Sequence, residues 1–364
     1  MTTSTHQLPE LLDVELPVIQ APMAGASTPQ LVAAVSNAGG LGSYGCSRLL
    51  PDQVVELGGK IRALTNRSFN LNFFCHAPPN VSPAQERAWR ERLAPYYAEL
   101  GVDPEAAKAP VREPFNAAMC EAVVAVAPKV ASFHFGLPAP DLLARIKVAG
   151  CLVASSATTV QEAERLAALG CDFIVAQGVE AGGHRGMFLS DDIGVQVGTM
   201  ALVPQVVDAV DVPVVAAGGI TDARGAAAAF ALGAAGIQPG TAYLFCPEAS
   251  VSPFHRTALK PAQADGTALT NVYTGRPARS LVSRLVREVG PMSPLAPQFP
   301  VAASGVAALT SAGEQRGLGD FTPMWSGQAA ALGREMGAGE LTRTLVADAF
   351  ALLGSLAEQA PRPH

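Results

Sequence analysis

The chain has 364 residues, of which 49% are hydrophobic, and it carries a net charge of −6. This length fits an elaborated α/β barrel, and the lack of a basic tract argues against nucleic acid and anionic membranes as partners. The first ten residues lack the basic region and apolar core of a signal peptide, and no apolar run is long enough to span a bilayer. We therefore expect a cytoplasmic protein.

Six cysteines are scattered through the sequence without a C-x-x-C pair. This arrangement predicts buried thiols in place of disulfides. No group of cysteines and histidines has the spacing of zinc ligands, so we expect no metal site.

Apolar runs typical of β-strands alternate along the chain with amphipathic helical patterns. Such alternation indicates βα units and a parallel sheet. The predicted strands are residues 17–20, 40–44, 69–74, 129–134, 151–155, 172–176, 213–217 and 236–238. Repeated units of this kind over about 250 residues predict a (β/α)8 TIM barrel in residues 1–250. An open doubly wound sheet is the alternative.

Three stretches do not follow this alternation of strand and helix patterns. Residues 76–110 are rich in proline and charge, which indicates an insertion into the barrel. Residues 251–330 lack strand patterns and predict a smaller C-terminal region that caps the barrel mouth. In residues 331–364, leucines at helical spacing predict a helix that packs back on the barrel.

A glycine-rich loop, residues 177–186, follows the sixth predicted strand and contains one histidine, His184. α/β folds place their chemistry at the carboxyl ends of strands. Gly182 and Gly183 would let the backbone approach a flat ligand. Because an imidazole can exchange a proton near neutral pH, His184 is the candidate catalytic residue. The alternative is a histidine that caps the following helix.

Glycine motifs also end the last two predicted strands, at Gly218-Gly219 and Gly240-Thr241. In barrels these loops often bind phosphate, because backbone N–H groups can approach an anion where no side chain intervenes. Two structural turns are the alternative. Residues 40–45 match a G-x-G-x-x-G pattern, but its glycines begin inside a predicted strand, which disfavours a dinucleotide-binding fold.

Five short segments form a combination that is more specific than any of them alone. They are QAPMAG at residues 20–25, SNAGGLG at 36–42, NLNF at 70–73, QGVEAGGH at 177–184 and AGGI at 217–220. Together they resemble the nitronate monooxygenase family, formerly called 2-nitropropane dioxygenases, and its class I branch in particular. The resemblance covers about residues 15–250 and extends to residues 324–328.

The resemblance implies a TIM barrel that binds FMN non-covalently and oxidises alkyl nitronates with O₂ in detoxification. Propionate 3-nitronate is then the expected substrate. The products would be an aldehyde or oxo acid with nitrite or nitrate, formed through a flavin semiquinone. The same superfamily contains flavin-dependent enoyl-acyl-carrier-protein reductases, so an FMN enzyme that uses NAD(P)H is the alternative. We expect a monomer or homodimer.

The resemblance also assigns the contacts with FMN. The expected residues are Ala21, Met23, Gly25, Asn72, Gln177, Gly182, Gly183, Gly218, Gly219, Gly240, Thr241, Ser326 and Gln328. Among them, the glycines and the threonine at positions 218, 219, 240 and 241 would hold the phosphate. For Asn72 and Gln177, the alternative is that they tie neighbouring loops to the barrel.

The remaining histidines and one arginine complete the predicted site. His184 would act as a base towards neutral nitroalkanes, or stabilise the charge of a nitronate. His134 ends the fourth predicted strand and could face the substrate pocket; a wall histidine with satisfied hydrogen bonds is the alternative. Arg185 could attract an anionic substrate, or be an ordinary exposed loop residue. Solvent exposure is expected for the histidines without such a context, His6, His255 and His364.

Overall fold

Seven parallel strands form the central sheet in a computed structural model, which describes residues 7–80, 82–107, 109, 113–260 and 266–359. Their spatial order is β1-β2-β3-β4-β5-β7-β8. The strands are β1 (Gly42–Gly45), β2 (Phe69–Phe74), β3 (Val130–His134), β4 (Leu152–Ala157), β5 (Phe173–Gln177), β7 (Val214–Ala217) and β8 (Gly236–Ile237). Each predicted strand after the first overlaps one of these elements.

The first predicted strand, residues 17–20, closes the sheet into a barrel. Ile19 donates its N–H to the carbonyl of Ile237 in β8 (2.9 Å), and Gln20 donates to Leu41 just before β1 (3.0 Å). Because one segment pairs with both edges of the sheet, it takes the eighth position and leaves no free edge. The predicted (β/α)8 barrel is therefore confirmed, and the open doubly wound sheet is excluded.

Helices surround the barrel and continue beyond it. Many begin at a residue whose side chain accepts a backbone hydrogen bond, as Asp222 does at the start of α9. The helices are α1 (Gln7–Leu12), α2 (Pro29–Asn37), α3 (Pro51–Arg62), α4 (Pro83–Leu100), α5 (Ala117–Val126), α6 (Pro140–Val148), α7 (Val160–Ala168), α8 (Thr199–Ala209), α9 (Ala223–Ala231), α10 (Pro253–Leu259), α11 (Arg284–Val289), α12 (Ala302–Gln315) and α13 (Ala338–Glu358). None of them, within the described ranges, is both long and apolar enough to cross a membrane.

Alternate strand residues face two different cores, because successive side chains of a strand point to opposite sides. Ile174 belongs to the core between the sheet and the helices. Its neighbour Val175 belongs to a second core inside the barrel, which Leu8 and Leu12 of α1 also join. Since α1 fills the amino-terminal end of the barrel, the open end is the one where the strands finish.

The G-x-G-x-x-G pattern at residues 40–45 serves close packing of β1. A Cβ on Gly42 would lie 2.1 Å from the carbonyl oxygen of Val32 in α2, and one on Gly45 would lie 2.6 Å from the nitrogen of Ala24. Both contacts are with backbone atoms, so a larger residue at either position would displace a helix or a loop. The pattern is therefore structural here.

The region around residues 76–110 joins the segment beyond residue 250 in one core. Trp89 of α4 donates its indole N–H to the carbonyl of Ala302 (3.1 Å), and Leu93 packs with Val306 and Leu309 of α12. A smaller sheet, in the order β6 (Gly183–His184), β10 (Ala278–Leu281) and β9 (Thr267–Thr270), lies beside this core. We call α4 together with residues 266–325 the cap.

The last helix, α13, packs on the outside of the barrel. Leu341 and Leu345 join Leu31 of α2 in a buried cluster. The ring of Phe350 stacks on that of Phe230 in α9, with centroids 5.0 Å apart and planes inclined by 17°. Residues 360–364, including His364, lie outside the described residues.

Candidate active site

A cavity of about 700 Å³ opens at the carboxyl ends of the barrel strands, with the cap as its outer wall. Most of the predicted site residues line it. These are Ala21, Met23, Gly25, Asn72, His134, Gln177, Gly182, Gly183, His184, Gly218, Gly219, Gly240 and Thr241. Ser326 and Gln328 do not line the cavity; the neighbouring Trp325 and Gly327 do. Distant parts of the sequence therefore meet at the open end of the barrel.

His184 lies in a short strand, β6, rather than in an irregular loop. Its backbone pairs with Ala278 of β10, and its Nε2 lies 2.9 Å from the hydroxyl oxygen of Thr274. The rings of Phe299 and Trp325 surround the imidazole, with centroids 5.4 and 5.3 Å away. The cap thus fixes both the backbone and the side chain of the candidate catalytic residue.

His134 supports His184 from the end of β3. Its Nε2 lies 3.0 Å from the carbonyl oxygen of His184, and its Nδ1 lies 3.0 Å from the hydroxyl oxygen of Ser156. Because a carbonyl only accepts, Nε2 carries the proton and Nδ1 accepts from the serine. Burial lowers the pKa of His134 to about 4, so the ring is neutral at physiological pH.

Gln177, the last residue of β5, holds the segment that carries His184 through two hydrogen bonds. Its Nε2 donates to the carbonyl of His184 (3.0 Å), while its Oε1 accepts from the backbone N–H of Gly186 (2.7 Å). These bonds match the alternative in which Gln177 ties a loop to the barrel. Asn72 is similarly engaged, because its Nδ2 donates to the hydroxyl of Ser132 (2.9 Å).

Arg185 is fully buried and does not face the cavity, so it neither attracts a substrate nor lies in solvent. Its Nη1 and Nη2 donate to the carbonyls of Gly178 (2.8 Å) and Gln177 (2.6 Å), and its Nε donates to Gln196. Burial, together with the charge of Arg279, lowers the pKa of its guanidinium to about 9. The residue anchors the loop that carries His184.

The predicted phosphate end lies where β7 and β8 finish. Gly218 and Gly219 have φ of +113° and +70°, a left-handed turn that favours glycine. Among the residues that the structure describes, the N–H groups of Gly219 and Gly240 have no acceptor. The Thr241 hydroxyl accepts from the N–H of Gly327 (2.9 Å), which leaves its own proton available to another acceptor.

The segment around residue 326 packs directly on the His184 loop. A Cβ on Gly182 would lie 2.5 Å from the nitrogen of Gly327, and Gln328 donates its N–H to the carbonyl of Glu180 (3.0 Å). Ser326 is fully buried, and its hydroxyl donates to the carbonyl of Gly327 (3.1 Å). These contacts hold the loop that carries His184 in place.

Comparisons with known proteins agree with this geometry. Residues 5–348 match the family model described as nitronate monooxygenase. The chain belongs to the nitronate monooxygenase family. It is therefore an oxidoreductase, and the family consists of flavin enzymes in general.

Individual relatives cover nearly the whole chain. Nitronate monooxygenase of Pseudomonas aeruginosa is 43% identical over 345 residues, 94% of this chain and 98% of that protein. The Paraburkholderia phytofirmans protein of the same name is 42% identical and covers 94% of each chain. A solved nitroalkane oxidase from Streptomyces ansochromogenes has a TM-score of 0.86 at 38% identity, covering 97% of this chain and 100% of that one. FabK from Thermotoga maritima has a TM-score of 0.74 at 27% identity, covering 97% and 99%.

Sequence reasoning within the family motifs missed several residues of the cavity wall. Thr274 and Arg48 line the cavity but lie outside the matching segments. His255, in α10, also lines it, and burial lowers its pKa to about 4, so the expectation of a solvent-exposed histidine is wrong. His6 lies outside the described residues. No motif marks these positions, because each reaches the cavity through tertiary packing.

Proposed function

We propose that the protein is an FMN-dependent nitronate monooxygenase of the cytoplasm that oxidises alkyl nitronates, with propionate 3-nitronate as its substrate. O₂ is the co-substrate, and the products are an aldehyde or oxo acid with nitrite or nitrate. The observation that carries the proposal is the position of His184. Its imidazole borders the cavity, while Gln177, His134 and Thr274 hold its backbone and ring from three sides.

The residues at the cavity fit FMN. Its volume of about 700 Å³ lies within the range of roughly 300–1,000 Å³ that is typical of cofactor sites. The N–H groups of Gly219 and Gly240, without acceptors among the described residues, suit a phosphate. A Cβ on Gly183 would meet nothing within 4 Å, so the backbone beside His184 borders open space that a flat ring can occupy.

FMN, when bound, would accept electrons from the nitronate; the chain supplies binding and proton control. The Thr274 hydroxyl can donate to or accept from Nε2 of His184, so it accommodates either protonation state of the imidazole. A neutral His184 can remove the α-proton of a nitroalkane, whereas a protonated one stabilises an anionic nitronate. Phe74 and Trp325 line the cavity, and together with Phe299 they surround the imidazole with apolar rings.

The substitution His184→Asn tests this role. We expect kcat/KM for a neutral nitroalkane to fall by about 10²–10⁴, because a positioned base is lost. The preformed nitronate needs no proton removal and should be affected less. Both substrates should be assayed at equal FMN content, with Thr274→Val as the comparison variant. Wild-type turnover of both substrates by His184→Asn would show that the assigned role is wrong.

The likeness to FabK favours one second candidate, a reductase that takes electrons from NAD(P)H. Anaerobic reduction of the bound flavin separates the two. Bleaching by propionate 3-nitronate and not by NADH or NADPH is expected for a nitronate monooxygenase. Rapid bleaching by a nicotinamide alone would favour the reductase.

A further inference from the structure

Arg48 presents a positive charge to the mouth of the cavity. It lies in the loop after β1, and its guanidinium lies next to the backbone of Gly25. A Cβ added to Gly25 would be 3.0 Å from Nη1 of Arg48. Arg48 is one of the residues that line the cavity. Arg48 forms no hydrogen bond and no ion pair with any residue in the described parts of the chain. Arg185 differs, because its guanidinium donates to the side chain of Gln196 and to the carbonyls of Gly178 and Gln177.

The wall near Arg48 comes from the cap. Glu314 of α12 is the carboxylate whose charge acts on Arg48, without forming an ion pair with it. Burial lowers the pKa of the Arg48 guanidinium, yet an arginine remains charged at neutral pH. Ala303, Ala307 and Ser311 line the cavity from successive turns of the same helix. Their small side chains leave room in the cavity for part of a ligand.

We propose that Arg48 binds the carboxylate of a short nitronate whose nitronate group lies against His184. The inference rests on the proposed function and adds to it the residue that recognises the carboxylate of the proposed substrate. A guanidinium matches a carboxylate with two parallel N–H donors. The phosphate of FMN has its own candidate donors at Gly219 and Gly240, so Arg48 is not needed there.

The test compares two nitronates that differ at the end of the carbon chain opposite the nitronate group. Propionate 3-nitronate carries the carboxylate, and butyl 1-nitronate has an alkyl end in its place. Both are assayed with wild type, Arg48→Gln and Arg48→Lys. Arg67→Gln is the matched control, because Arg67 pairs with Glu15 (3.0 Å) before β2, at the opposite end of the barrel. Calorimetry with succinate, in which a second carboxylate replaces the nitronate group, measures binding without turnover, and the visible spectrum gives the FMN content.

For Arg48→Gln, we expect KM for propionate 3-nitronate and Kd for succinate to rise about tenfold. This is the lower end of the effect of losing a hydrogen bond to a charged group, because the cavity is open to solvent at Arg48. The values of kcat and the kinetics with butyl 1-nitronate should not change. Arg48→Lys should recover part of the loss, and Arg67→Gln should behave as wild type.

Equal losses with both nitronates, no loss with either, or release of FMN from Arg48→Gln would overturn the assignment to the carboxylate. If the wild-type enzyme oxidises neither nitronate, the proposed function fails. The calorimetric comparison of wild type with Arg48→Gln would still test carboxylate binding by itself.

Discussion

At the residue scale, one carbonyl group organises the site. The oxygen of His184 accepts from both Gln177 and His134, each at 3.0 Å. Two donors of different strands, β5 and β3, therefore hold one peptide at the cavity wall. Arg185, the next residue along the chain, turns inward and satisfies two carbonyls of the same loop. Three side chains thus hold the strand that carries His184.

The neutral state of His134 predicts a dependence of stability on pH. Its pKa is about 4 in the folded protein and about 6.5 in the unfolded chain, because burial disfavours the charged ring. Between these values the unfolded state binds more protons, so stability decreases as pH falls from 6.5 to 4. The contribution is at most about 1.4 kcal/mol for each pH unit.

Urea unfolding at pH 7.5, 6.0 and 5.0 measures this effect in wild type and in His134→Gln. The glutamine keeps a donor for the His184 carbonyl but does not titrate, so its stability should fall less steeply with pH. His255 has a similar shift and remains in both proteins, so the difference between them reports His134. Parallel pH profiles would contradict the prediction.

At the element scale, the contact between the loop before β6 and the segment at 325–328 depends on the lack of a side chain at Gly182. An alanine Cβ would lie 2.5 Å from the nitrogen of Gly327 and 2.6 Å from the carbonyl carbon of Ser326. Both are backbone atoms, which cannot move aside as a flexible side chain does. One of the two loops must then shift.

We therefore expect Gly182→Ala to destabilise the protein by about 1–3 kcal/mol and to reduce kcat/KM, since His184 lies two residues away. Thermal unfolding and steady-state kinetics measure both effects. Gly354→Ala in α13 is the control, because its Cβ would meet nothing within 4 Å. There a helical alanine should stabilise by about 0.5–1 kcal/mol. Unchanged activity in Gly182→Ala would mean that the loop does not set the position of His184.

At the scale of the whole molecule, the cap has a buried core of its own, which the insertion and the segment beyond residue 250 form together. Trp89 is buried, donates to Ala302 and packs on Gly305, where an added Cβ would lie 2.8 Å from its indole nitrogen. The same helix α12 lines the cavity through Ala303 and Ala307. Folding of the insertion and formation of the substrate wall are therefore linked.

Trp89→Ala should lower the free energy of unfolding by about 3–5 kcal/mol and raise KM as well. Urea unfolding and substrate titration measure the two effects. Met200→Ala, at an exposed position of α8, should change stability by no more than about 0.5 kcal/mol. If Trp89→Ala raised KM without loss of global stability, the cap would instead be an independently folding lid.

The amino-acid sequence by itself determined the barrel and the approximate position of its site. Strand length and apolar composition are local properties, so the predicted strands from 40–44 to 236–238 agree with the seven strands of the central sheet, whereas β6 was expected to be a loop. Parallel strands of a barrel end on the same side, so motifs at strand ends such as Gly218-Gly219 and Gly240-Thr241 had to meet. The family followed from the same motifs.

Only the tertiary structure decided what individual side chains do. Gln177 and Asn72 line the cavity, and their amide groups also bond to protein atoms, which the spacing of residues in the sequence does not reveal. Arg185 and Arg48 are both loop arginines in sequence, but one is buried among carbonyls and the other borders the cavity. Thr274 reaches His184 across ninety positions. The direction of a side chain and the identity of its partner depend on long-range packing. Local sequence patterns do not encode this packing.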